Sequence, residues 1–154
     1  MELLQIRDAI LEDLPRLQHL EQEIIRVLRP FDPTIRPDPV CLYDLKDYIE
    51  NPDVKMVVAE ANGIIVACGY GLRKQAHSYL DHQEYAYLGF MYIVPEYRGK
   101  GVIQKIIQTL KDWAIAVGLF EVRLTVYQNN DPAIRAYEKL GFESHIKEMR
   151  LRLN

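Results

Sequence analysis

The sequence predicts an α/β (α+β) chain: a mixed sheet with helices on both faces. Three observations predict it. Two strand-like runs, 54–61 and 64–73, are joined by Asn62-Gly63, a dipeptide whose members both tolerate positive φ and so close a tight hairpin. A third run, 84–94, is rich in tyrosine and apolar residues, stops at Pro95, and passes through a basic glycine-rich turn into an amphipathic stretch, 102–117. The order of elements is β, helices, three strands, helix, strand, helix, strand. Hairpin-linked strands followed by a strand–helix–strand unit require antiparallel and parallel pairing in one sheet.

Taken in order, residues 3–7 read as a first strand. Asp13 is a plausible cap and Pro15 a first-turn residue for a helix carrying Leu14, Leu17, Leu20, Ile24, Val27 and Leu28 at helical spacing. Pro30, Pro33, Pro37 and Pro39 forbid regular structure over residues 29–40, so an irregular loop is expected there. A short helix follows over 42–49. After the hairpin, the polar stretch 75–83, with His77, Asp81 and His82, is a loop. The 102–117 helix presents Ile103, Ile106, Ile107, Leu110, Ala114 and Val117 on one face and stops at Gly118. Val122, Leu124 and Val126 alternate inward in a strand over 121–126. Asp131-Pro132 opens a helix to Leu140, and Met149, Leu151 and Leu153 alternate in a final strand. No linker or repeat interrupts the chain, so residues 1–154 are expected to form one domain.

Composition excludes several classes. Hydrophobic residues are 49% and charged residues 27%, with net charge −3, which leaves no cationic surplus for nucleic acid. Residues 1–7 lack signal-peptide organisation and no apolar run could span a bilayer, so a soluble, cytoplasmic protein with no membrane partner is expected. Cys41 and Cys68 have neither metal-ligand nor redox spacing and are expected to be reduced thiols; no metal is expected.

The turn after Pro95 carries the chemistry. A helix start leaves backbone N–H groups without partners, and the helix dipole and nearby cations make it a socket for phosphate oxygens. Gly99-Lys100-Gly101 is not a Walker loop, because no Ser or Thr follows the Gly-Lys pair. It is not a dinucleotide fingerprint either, because the third glycine is missing.

Residues 92–113 resemble the acetyl-CoA-binding segment of the GNAT superfamily of N-acetyltransferases, whose turn runs Gln/Arg-x-x-Gly-x-Gly/Ala. Arg98, Gly99, Lys100, Gly101 and Val102 fit its first five places, and Ile93 and Pro95 fall where the family has Val-x-Pro. Downstream, Asn130, then Ala133-Ile134, then Tyr137-Glu138-Lys139-Leu140-Gly141-Phe142 resemble the family's second cofactor segment. Ile103 departs from the Gly or Ala that the family prefers; the helical stripe would direct its side chain into the core.

The resemblance implies a mostly antiparallel sheet with a splayed parallel pair of strands, ending at Ile93 and Val126, and acetyl-CoA in the gap. The backbone of Met91, Tyr92 and Ile93 would pair with the pantetheine amides. The amides of Gly99, Lys100, Gly101, Val102 and Ile103 would hold the pyrophosphate, helped by Arg98, and Asn130 would contact the cofactor. Tyr137 matches the family's position for protonating the leaving thiolate. Glu84, near the start of the third strand of the hairpin-linked set, is the chosen general base, with His77, Asp81 and His82 able to serve through water. The expected activity is transfer of an acetyl group to an amine in a ternary complex, the acceptor being a small molecule or a peptide or protein amine. A non-catalytic acyl-CoA-binding regulatory domain is the alternative, prompted by the unassigned base and Ile103. A homodimer is left open, supported by the tyrosine-rich strand and the alternating carboxy-terminal one.

Overall fold

The computed structural model describes residues 3–154; Met1 and Glu2, part of the stretch read for a leader, lie outside the described residues. The elements are β1 (Leu4–Asp8), α1 (Leu14–Leu28), α2 (Leu45–Glu50), β2 (Val54–Ala61), β3 (Ile64–Gln75), β4 (Glu84–Ile93), α3 (Val102–Ala116), β5 (Val122–Arg123) and α4 (Asp131–Lys139). One five-stranded sheet runs in the order β1-β2-β3-β4-β5. The first three pairings are antiparallel and β4–β5 is parallel. Asn62 and Gly63, at φ 54° and 79°, close the β2–β3 hairpin as their tolerance of the left-handed region requires.

Helices cover both faces. Against one lie Leu17, Leu20 and Ile24 of α1 and Leu45 of α2, packed with Met56, Val58, Cys68, Tyr70 and Phe90. Against the other lie Val102, Ile106 and Leu110 of α3, packed with Val57, Ala59, Ala67 and Leu88. Alternate residues of β2 and β3 thus enter opposite cores, which is why both strands read as nearly continuous apolar runs.

Several expectations change. Asp13 does not cap α1 with its side chain; its carboxylate accepts from Ile10 N–H at 2.8 Å and from Arg7 Nη1 at 2.7 Å, closing a 3-10 turn ahead of the helix. Arg7 also reaches Glu60 Oε1 at 2.6 Å, so this partly buried cluster ties the start of α1 to the sheet edge. Val27 and Val117 are exposed and Ile103 is half-exposed; Val102, not Ile103, occupies the inward place at the start of α3. The second helix starts three residues late, at Leu45, because Asp44 accepts from Asp47 N–H at 3.2 Å and caps it there.

The largest corrections concern the end of the chain. The strand expected over 121–126 is reduced to Val122–Arg123, and Val126 faces solvent. The final strand at Met149–Leu153 does not form: residues 143–154 belong to no helix or strand, and all of them are exposed. Period-two alternation marks a segment fit to be a half-buried strand, but pairing needs a neighbouring edge in register, and this one pairs with none among the described residues.

Candidate acyl-transfer site

β4 and β5 pair at only two positions, Ala86↔Val122 and Tyr87↔Arg123. Beyond them β4 continues to Ile93 with no strand on its outer edge, so the two chains open into a gap. A register shift between Cys68 and Tyr70, with Phe90 at φ 53°, marks a bulge in β4 at the mouth of that gap. The buried thiol of Cys68 donates to Phe90 O at 3.4 Å and pins the bulge; burial pushes its pKa up, so it stays a thiol. Val94 N–H donates to Val66 O at 2.9 Å. Backbone direction alternates along a strand, so Tyr92 also turns its amide toward β3, while Met91 and Ile93 turn theirs into the gap.

After β4, a 3-10 turn (Pro95–Tyr97) leads into Arg98 and the glycine turn. Gly99 and Gly101 sit at φ 76° and 77°, a region that a side chain makes costly, and Gly101 heads α3. No side chain caps α3, so the N–H groups of its first turn point outward at the positive end of a 15-residue helix. Arg98 is less free than its sequence position suggests. Its Nε donates to Ile93 O at 2.9 Å and its guanidinium lies 5.6 Å from the Tyr92 ring, so it braces the turn against β4. Lys100 stands 5.0 Å from the Tyr97 ring.

Asn130 caps α4, accepting from Ala133 N–H at 3.4 Å. Tyr137, about two turns further on, packs edge-on against Phe142 with ring centroids 5.9 Å apart. Phe142 belongs to the same apolar cluster as Met91, Ile93 and Leu124, which ties Tyr137 to the walls of the gap. Its hydroxyl has no hydrogen-bond partner among the described residues, and burial raises its pKa to about 12. It is therefore a protonated donor at any ordinary pH.

Other candidates lie elsewhere. Glu84 is held by Arg73 Nη1 at 2.7 Å and Gln75 Nε2 at 3.2 Å, at the paired end of β4, away from the gap. His82 joins it there, with Nδ1 2.8 Å from Asp81 Oδ1 and Nε2 3.0 Å from Arg123 Nη2. Because Arg123 can only donate, His82 Nε2 accepts and Nδ1–H donates to Asp81. His77 stacks on Tyr79, centroids 5.2 Å apart. Among the described residues no group of three or more metal-ligating side chains converges, and no helix is long and apolar enough to cross a membrane. Both cysteines are free.

Sequence reasoning missed an aromatic cluster in the core on the α1–α2 face of the sheet. Tyr43, Tyr48, Tyr70 and Phe90 pack together, with Tyr43–Phe90 and Tyr48–Tyr70 centroids both 5.0 Å apart. The Tyr87 hydroxyl meets Thr125 Oγ1 at 2.6 Å across the opening strands. Phe31 stacks on Tyr127, and the Tyr127 hydroxyl donates to Asp32 Oδ2 at 2.9 Å, fastening the proline-rich loop to the chain after β5. Hydrogen bonds from Thr34 and Tyr127 hold the Asp32 pKa down to about 2. These contacts span up to 95 residues of sequence, a separation no local pattern signals.

A family model described as "Acetyltransferase (GNAT) family" matches residues 17–142. The chain belongs to that family. A Pectobacterium atrosepticum acetyltransferase is 35% identical over 94 residues, 61% of this chain and 60% of the relative, so the chain spans less than two thirds of that relative's length. A predicted acetyltransferase from Clostridium acetobutylicum, solved with acetyl-CoA, superposes with TM-score 0.74 at 19% identity, over 97% of this chain and 96% of the other. An aminoglycoside N-acetyltransferase in complex with CoA gives TM-score 0.77 at 16% identity, over 97% and 99%. The mixed sheet with its parallel β4–β5 pair is thus the fold of GNAT acetyltransferases.

Proposed function

We propose that this GNAT protein transfers an acetyl group from acetyl-CoA to a primary amine by direct attack in a ternary complex. The observation that carries the reading is the continuity of an open β4 edge with the uncapped start of α3. One extended ligand with amides at one end and a pyrophosphate at the other fits both. The outward amides of Met91 and Ile93 suit an extended amide chain, in the manner of strand addition. The first-turn N–H groups of α3, behind Gly99 and Gly101, suit the pyrophosphate. Ile103, half-exposed on the outer flank, leaves those N–H groups accessible. Acetyl-CoA supplies the activated acyl group.

The chain's residues do the rest. A free N–H of the open β4 edge donates to the acyl oxygen as it gains negative charge. Tyr137, protonated and unpartnered, gives its proton to the departing sulfur and recovers one, through solvent, from the nitrogen, which loses its second proton as the amide forms. Glu84 is committed to Arg73 and Gln75, so the amine loses its proton to solvent before attack and only its neutral fraction reacts. The acceptor approaches on the α1–α2 side, between the Tyr87–Thr125 pair and the loop carrying Phe31 and Asp32. The aminoglycoside N-acetyltransferase with the same fold supports an amine as acceptor.

Purified protein incubated with acetyl-CoA and a panel of primary amines, with free thiol as readout, tests this. Amine-dependent thiol release that falls on Tyr137→Phe is expected; no release with any amine sinks the reading. The commitment of Glu84 favours one second reading, a domain that binds acyl-CoA without turnover, for which calorimetry would give binding with no thiol release.

A further inference from the structure

Two cations flank the opening strands on the face of the sheet that looks toward α1 and α2. Lys74 of β3 stands opposite Tyr85 of β4, and Arg123 of β5 stands opposite Tyr87. Residues opposite one another on neighbouring strands share a face, as do residues two apart on one strand. Tyr87 packs against the α1–α2 core, so all four belong to that face. Lys74 Nζ lies 4.4 Å from the centre of the Tyr87 ring, and the Arg123 guanidinium lies 4.4 Å from that of Tyr85. The cations thus close on the two rings from either side of β4, next to the Tyr87–Thr125 hydroxyl pair.

Neither cation is fully satisfied. Among the described residues Lys74 has no carboxylate partner and rests only on the ring. Arg123 donates from Nη2 to His82 Nε2 at 3.0 Å, and its buried Nε stands 3.6 Å from Glu121 Oε1 without a hydrogen bond. Its Nη1 has no partner among the described residues either and, unlike Nε, is not buried. Glu121 offsets one of the two charges. The Asp81 side chain, which orients His82, is 98% exposed, so water screens its charge. Glu84 faces the other way, with Arg73, whose Nη2 reaches Val117 O at the end of α3 at 3.1 Å. One positive charge is therefore left over on the acceptor side of the sheet. A carboxylate matches it, because it is a monoanion whose two oxygens can accept from a lysine and a guanidinium corner at about 2.8 Å.

We propose that Lys74 and Arg123 anchor a carboxylate of the acceptor, so that the acceptor is a small amine that also carries a carboxylate several bonds away. Tyr85 and Tyr87 stand two residues apart on β4, roughly 7 Å, a span that one carboxylate with a hydrogen bond on each side bridges. From Tyr87 to Phe90, at the bulge where the open edge meets the acyl group, is a further three residues, roughly 10 Å. Subtracting one hydrogen bond leaves about 7 Å between amine and carboxylate, the extended length of two residues of chain or of about six single bonds. An α-amine beside its own carboxylate is too short for this, whereas an ω-amine fits. The position of the amine rests on the acetyltransfer reading; the anchor rests on the sheet face alone.

Calorimetry on CoA-loaded protein, titrated with ε-aminocaproate and with its neutral amide, reads the anchor without turnover. The acid should bind at least about tenfold more tightly than the amide, and Lys74→Met should erase the difference. Lys74 is exposed and methionine keeps its apolar stem, so the variant folds. Under turnover the same advantage should appear in KM rather than kcat, and glycine should be a poor acceptor. Lys74→Glu should turn the preference toward cadaverine, whose second ammonium takes the place of the carboxylate. Equal binding of acid and amide, an advantage untouched by Lys74→Met, or glycine matching ε-aminocaproate as acceptor would each overturn the proposal. A binding preference that stands while no amine releases thiol would support the anchor and remove the acetyltransfer reading.

Discussion

Tyr137 and Glu84 behave differently in the structure, and mutants should separate them. Tyr137→Phe removes a proton donor without changing ring packing on Phe142, so kcat should fall about 10²-fold with the acetyl-CoA KM little changed. Because burial raises the Tyr137 pKa to about 12, kcat should show no alkaline fall up to about pH 10.5, whereas an unshifted tyrosine would already have lost about half its activity at about pH 10. Glu84→Gln should leave kcat/KM within about threefold, since its partners already hold it out of the gap. A loss of 10²-fold or more would return Glu84 to the role of base. Asp13 supplies a stability test. Its pKa is lowered, first by the hydrogen bond from Arg7, so the stabilisation is present above its ordinary value and is lost as pH falls through the folded value. Asp13→Asn should cost about 1–3 kcal/mol at pH 7 and flatten the acid limb of a denaturation series.

At the level of elements, the turn into α3 is where backbone conformation and ligand recognition meet. A side chain at Gly101 would find room, its nearest neighbour being Gln104 Oε1 at 3.6 Å, but must adopt φ 77°. Gly101→Ala should therefore cost about 1–2 kcal/mol and lower the melting temperature by a few degrees, while weakening CoA binding by tilting the first-turn amides. Gly89 meets the opposite limit: a Cβ there would collide with the Tyr70 ring and hydroxyl. Gly89→Ala should displace Tyr70 from the aromatic cluster and disturb the bulge, seen as a lower melting temperature and altered near-ultraviolet circular dichroism. The contrast was not legible in the sequence. The 99–101 turn carries its own signature, while Gly89 looks like any strand glycine until β3 is laid beside it.

For the whole molecule, a ligand that binds only the folded chain must stabilise it. CoA at about 100 times its dissociation constant should add about 2.7 kcal/mol, measurable as a rise in melting temperature, and Gly101→Ala should reduce that rise. No shift with CoA or acetyl-CoA would remove the basis of the functional reading. The sequence by itself determined the hairpin, the two-faced sheet, the glycine turn at the head of α3 and the Asn130–Tyr137 segment, because each is written in neighbouring residues through turn chemistry, capping and periodicity. It could not decide which side chains meet across the sheet: that Glu84 is taken by Arg73, that Arg98 braces β4, or that Asp32 fastens Tyr127. It also read a final strand where the structure has an unpaired arm. Periodicity reports only that a segment could bury one face. Whether a partner edge stands in register to receive it is a property of the fold in three dimensions.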